Sequence, residues 1–308
     1  MTRYFTLFTL FSMLILALIP SCKDFDGPQT VPAYLRIDTV RVSCDYYIYG
    51  ANTHNFTDVW VYVDGDILGA FELPAMAPVL KEGVHDVAIY PGIKVNGIAQ
   101  SRADYPFMDA ADYPSLNLVK DSVIKLVPTF TYYPEGDNLH VRWKEDFDGG
   151  FVSLESTSTS DVSFQRVTGP MAWHDTLGIY SSYSGLVELN SDSLQFELAT
   201  AEQFEDLPTH GSACMLEMDY KCSDTCQVGL YYKEKNTIYP YPIIRLNPTT
   251  ESGVNPVQWK KIYINIGPYL VEHENADYFK LYFSSWSLRN DGPQYFYFDN
   301  LKLIYRDR

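Results

Sequence analysis

The side chains able to do chemistry are spread thinly along this 308-residue sequence. Its histidines, His54, His85, His140, His174, His210 and His273, form no H-E-x-x-H pair, and no G-x-S-x-G or phosphate-cradling glycine loop occurs. Glu217 and Asp219 are an acidic pair of the kind a glycoside hydrolase uses as general acid and base. The same spacing describes the solvent face of a strand whose other face is Cys214, Leu216, Met218 and Tyr220. That second reading is preferred, so no enzyme is expected. Cys222 and Cys226 bracket Ser223-Asp224-Thr225, a turn, and in an exported chain they are the natural disulfide pair, with two free thiols as the alternative. A loop that short contributes about 2 kcal/mol in the chain-entropy account. No second C-x-x-C or nearby histidine completes a zinc set. Near the C-terminus, strict alternation puts Tyr297, Asp299, Leu301 and Leu303 on one strand face. If that face is the core, Asp299 is a buried carboxylate that needs a partner; a bulge turning it outward, or pairing with Arg or Lys, is the alternative.

The compartment is read from Met1 to Cys22. Arg3 supplies a positive start, Tyr4 to Ser21 carry no charge, and Ile19-Pro20-Ser21-Cys22 resembles a lipobox. Residues 1–21 are therefore expected to be a lipoprotein signal and Cys22 the lipidated residue. A transmembrane anchor is the competing reading, but Thr6, Thr9 and Ser12 dilute a run barely long enough to span. Residues 22–30 form a polar tether. Its start, CKDFD, resembles the acidic export signal of Bacteroidota outer-membrane lipoproteins, and a plain flexible spacer is the other account. The resemblance implies a lipid-anchored protein of the outer membrane, facing the cell exterior.

Formal charge is −16, with the cations scattered, which argues against nucleic acid. The 25 tyrosines and the many β-branched residues suit half-buried strands. An all-β chain is expected, long enough for two domains. From residue 31 the pattern has period two: Tyr34 to Ile37, Val59 to Val63, an Asp64-Gly65 hairpin turn, Ile67 to Phe71, then Val87 and Ile89. Gly97 to Tyr113 is less patterned, and Val123 to Val127 closes the unit. The runs VYVDGDILGAFELP and LKEGVHDVAIYPG resemble small PEGA or carboxypeptidase-regulatory sandwich modules, which implies an Ig-like β-sandwich over 31–133 that serves as a spacer or adhesion unit. Tyr132 to Asn138 reads as an interdomain joint.

The remainder, 138–308, contains strands at short intervals, from Trp143 to the final YFYFDNLKL. Its EDFDG, LEMDYK, VGLYY, WKKIYIN, FKLYF and YFDNLKL segments resemble, in order, a galactose-binding-like jelly roll of the carbohydrate-binding-module type. That resemblance implies three things. The fold is a jelly-roll sandwich. Its matching Asp on the last strand joins acidic oxygens near the first strand in a structural calcium site, which places Glu145, Asp148 and Asp299 as ligands. Its ligand is a glycan, held by aromatic faces with polar groups beside them. Trp173, Trp286, Tyr239, Tyr241 and Tyr183 lie at loops or strand ends and are the candidates, with Trp173 and Trp286 preferred; Trp143 and Trp259 are assigned to the core. A protein without a glycan ligand, acting as an accessory subunit of an outer-membrane assembly, is the alternative.

Overall fold

The computed structural model describes residues 31–174, 181–249, 258–286 and 292–307. Strands take 56 % of the described residues and helix 5 %, so the protein is all-β. The expected lipidation at Cys22 lies outside the described residues.

In the N-terminal sandwich, Ala33–Ile37 lies between Ala75–Val79, which runs antiparallel, and Val123–Leu126, which runs parallel. Facing it is a five-stranded sheet in which Asp58–Val63 and Gly83–Lys94 are central. Alternation produces the core directly: Leu35, Ile37, Val59, Val61, Val63, Val87 and Ile89 all point between the sheets and are buried. Asp64 and Gly65 both take positive φ, the geometry a two-residue hairpin turn requires. Sequence patterning misses Arg102–Asp104 and most of Ala111–Leu118, both of which pair with Gly83–Lys94. Only Leu118 in these two strands is buried, so they bring little apolar signal of their own.

In the second sandwich, the C-terminal strand Gln294–Arg306 is the organising element. One edge pairs with Ser184–Leu189 and then with Leu139–Glu145; the other pairs with Ala213–Cys222, which continues to Lys260–Asn265. The opposing sheet runs Leu154–Ser156, Gln195–Thr200, Tyr278–Trp286, Cys226–Glu234, Thr237–Leu246. Leu216, Met218, Val228, Leu230, Leu281, Phe283, Phe296 and Leu303 fill the space between. Ser223 to Thr225 therefore joins one sheet to the other, and is not a hairpin turn within a sheet.

Ala213–Cys222 is buried along nearly its whole length on both faces. One face is the jelly-roll core. The other, with Met215, Glu217 and Asp219, lies against the first sandwich, whose core takes in Met215, Tyr263 and Ile304. Glu217 and Asp219 thus do not form a solvent face. A hydrophobic core passes over to the second sandwich here, and the carboxylates that accompany it are held by polar partners. Glu217 accepts from the hydroxyls of Tyr105 and Tyr132, with Lys261 and Lys302 ammonium groups at 3.4 and 3.5 Å. Asp219 accepts from Thr53 Oγ1 at 2.8 Å and Asn300 Nδ2 at 3.0 Å.

Candidate functional site

Two backbone links hold the sandwiches edge to edge. Val95 forms a parallel bridge with Tyr263, and Asn96 N donates to Tyr263 O at 2.8 Å while its side-chain oxygen accepts from Asn265 N. Asn55 adds two more bonds, donating its N–H to the Tyr263 hydroxyl and its amide to Lys261 O. Beside this seam the surfaces diverge and leave a cleft of about 1020 Å³, at the upper end of the usual range for ligand sites. Segments of both sandwiches form its walls. The first contributes Val40 to Val42, Asn52 to Asn55, Lys94, Asn96 and Gly97; the second contributes Trp173 and His174, Ile244 to Pro248 and Trp259 to Tyr263.

Trp173 is half-buried and held by its backbone: its N–H donates to Ser184 Oγ at 2.7 Å, and its carbonyl accepts from Ser181 N. Trp259, expected in the core, is a cleft residue instead. It precedes Lys260–Asn265, the edge strand of its sheet among the described residues, and it packs edge-on against Tyr297. The Lys221 ammonium lies 4.9 Å from the Trp259 ring centre and 4.0 Å from that of Tyr297, and burial lowers its pKa to about 8. The Trp259 indole N–H is buried and has no acceptor among the described residues. His54 stacks on Phe56, and burial, with the Lys261 ammonium, lowers its pKa. Among the described residues the cleft therefore offers two indoles, polar side chains and a single carboxylate, Asp219.

The other sequence-derived candidates fall elsewhere. Trp286 ends the strand Tyr278–Trp286, is 69 % exposed and does not line the cleft. Tyr239 and Tyr241 belong to a separate aromatic group on Thr237–Leu246: Tyr239 stacks on Tyr232, and Tyr241 meets Tyr269 and His273. Tyr183 sits under the Arg166 guanidinium, 3.9 Å from its ring centre. Trp143 is buried as expected and donates to Ser153 Oγ.

The expected calcium ligands are engaged separately. Glu145 accepts from Phe147 N, Ser153 N and Ser153 Oγ, and Asp148 accepts from Tyr183 N. Asp299 is fully buried, accepts from Ser184 Oγ and Asn300 N, and is raised by burial to a pKa of about 8. Among the described residues no three His, Cys, Asp or Glu side chains gather as a metal-holding group. Cys222 and Cys226 are free, buried thiols, not the expected disulfide, and burial pushes Cys222 up to about 12. Their sulfurs face the carbonyls of Asn247 and Gln227.

No protein-family model matches the chain, and comparison with curated proteins finds no match. Among solved structures the chain is similar to a carbohydrate-binding module of the β-sandwich superfamily, at 12 % identity over 80 % of this chain and 84 % of that one, with a TM-score of 0.38. It is also similar to the family 11 carbohydrate-binding module of a Clostridium thermocellum cellulosomal cellulase, at 15 % identity, 55 % and 95 % coverage and a TM-score of 0.34. A third is the K3 cleaved adhesin domain of Lys-gingipain from Porphyromonas gingivalis, at 11 % identity, 54 % and 98 % coverage and a TM-score of 0.35. Scores of this size do not establish a shared fold, so the reading of the site rests on the geometry of this chain.

Proposed function

We propose that this is a non-catalytic, lipid-anchored surface protein that binds a carbohydrate in the cleft between its two sandwiches. One observation carries the reading: Trp173 and Trp259, half-buried, line a single cleft with polar side chains beside them. A sugar ring presents C–H faces that pack on indoles and hydroxyls that bond to the polar groups next to them. The acidic groups nearest in type to hydrolase machinery, Glu217 and Asp219, are buried and already bound to lysines, tyrosine hydroxyls, a threonine and an amide. Anchoring rests on the lipobox-like Ile19 to Cys22.

Two experiments test the proposal. A glycan array probed with the chain beginning at Lys23 should give hits that Trp173→Ala and Trp259→Ala remove. Pull-down of the lipidated protein, run in parallel, separates the accessory-subunit alternative: a stoichiometric membrane-protein partner with no array hit would replace carbohydrate binding by that role. Cys22→Ala should release the protein from the membrane fraction, and unchanged labelling by a lipid precursor would show that Cys22 is not the anchor.

A further inference from the structure

We infer that the cleft takes an acidic saccharide, one whose rings carry carboxylate or sulfate groups; this deepens the carbohydrate reading and rests on it. The chain as a whole has 39 Asp and Glu against 23 Lys and Arg, yet the cleft lining reverses that balance. Arg41, Lys94, Arg245, Lys260 and Lys261 line it, with Asp219 as the one carboxylate. Asp219 adds no open negative charge: it is buried, bonded to Thr53 and Asn300, with the Lys261 ammonium at 3.9 Å. Lys261 is correspondingly committed to Glu217 and Asp219, and Lys94 lies 3.8 Å from Glu72. Arg41, Arg245 and Lys260 remain, exposed, and none makes an ion pair with a described residue.

These three cations, unpaired among the described residues, line one concave site in a protein whose formal charge is −16. The surrounding acidic surface repels anions, whereas a cleft with low-dielectric walls concentrates the field of its own charges and draws a matching ligand in. Two of the three free cations are arginines, whose planar fork meets a carboxylate or a sulfate with two parallel hydrogen bonds. Arg41 belongs to the first sandwich and Arg245 to the second, so they reach the cleft from opposite walls. Trp173 and Trp259 supply faces for the sugar rings, and Asn52 and Asn247 supply amides for neutral hydroxyls. A neutral glycan would use the tryptophans and leave the guanidinium groups idle; an acidic one uses both.

The test measures binding of the full chain, in detergent, to polygalacturonate, a sulfated galactan, neutral galactan and inorganic sulfate. At least one acidic polymer should bind about tenfold or more tightly than neutral galactan, because charge complementarity supplies most of the discrimination. The preference should shrink when ionic strength rises from about 0.01 M to about 0.15 M, as the Debye length falls from about 30 Å to about 8 Å. The double variant Arg41→Gln, Arg245→Gln should lose the preference while keeping the parent's melting temperature, and Lys120→Gln, whose partner Glu82 lies away from the cleft, should keep it. Equal binding of acidic and neutral polymers would overturn the inference and leave carbohydrate binding standing. Binding to no saccharide would overturn both. Inorganic sulfate binding as tightly as the polymers, or acidic-polymer binding indifferent to Trp259→Ala, would reduce the site to non-specific anion attraction and overturn the inference.

Discussion

Glu217 and Lys302 are register partners on adjacent strands, with charged atoms 3.5 Å apart and side chains 1 % and 4 % exposed. They lie where the two sandwiches meet. Burial by itself would raise the Glu217 pKa, but the ammonium groups of Lys302 and Lys261 outweigh it and hold the carboxyl below its ordinary value. The two sandwiches are therefore locked together by a balanced polar group surrounded by aromatic rings.

Removing one charge from that group should be far more damaging than removing two. Glu217→Gln leaves two buried ammonium groups without their shared counter-ion and should cost about 3–5 kcal/mol, read as a lowered midpoint in denaturant unfolding. Glu217→Gln combined with Lys302→Met should recover part of that loss. A single variant that unfolds at the parent's midpoint would show that the pair does not hold the interface.

Asp299 makes stability pH-dependent in the opposite sense to an ordinary salt-bridged carboxylate. Its carboxyl titrates at about 8 in the folded protein and at about 4 when unfolded, so the native state binds the extra proton between those values. Its contribution is full below about pH 4 and is lost as pH rises through about 8. Asp299→Asn, which keeps the acceptor and is always neutral, should flatten the fall of melting temperature over that window. A variant with the parent's pH profile would assign the fall to other groups.

Trp259→Phe separates the indole N–H from the ring. The ring face is largely kept and the N–H is buried, so affinity for the cleft's saccharide should stay within about threefold of the parent's, less than the worth of one ordinary hydrogen bond. Trp259→Ala should cost more. Titration calorimetry with both variants reads the difference, and equal losses would mean that the ring face contributes nothing.

Gly229 sits beneath Tyr282 in the sheet opposite the C-terminal strand. A Cβ there would overlap the Tyr282 ring and the Tyr241 carbonyl oxygen, neither of which can move without disturbing strand pairing. Gly229→Ala should therefore destabilise by about 1–3 kcal/mol in thermal or denaturant unfolding, although alanine normally suits a strand better than glycine. A stabilised variant would show that the sheet adjusts freely.

Alternation of side chains was enough to determine the all-β class, most strands, the Asp64-Gly65 turn and the core residues from Leu35 to Leu303, because a pleated strand with one buried face writes that face into its sequence with period two. Alternation says which residues share a face; it does not say what covers that face. Glu217 and Asp219 alternate like solvent-facing residues, and only the docking of the first sandwich, with Tyr105, Tyr132 and Thr53 from segments more than eighty residues away, makes them interior. Trp259 reads as a core residue in the sequence, yet it precedes an edge strand and lines the cleft. Asp299 was legible as a buried carboxylate, but the serine that serves it comes from a strand 115 positions earlier. The cleft itself had no local signature at all. Its walls are Arg41, Asn52 and Lys94 on one side and Trp173, Arg245 and Trp259 on the other, and only long-range sheet pairing and the Val95–Tyr263 bridge bring them together.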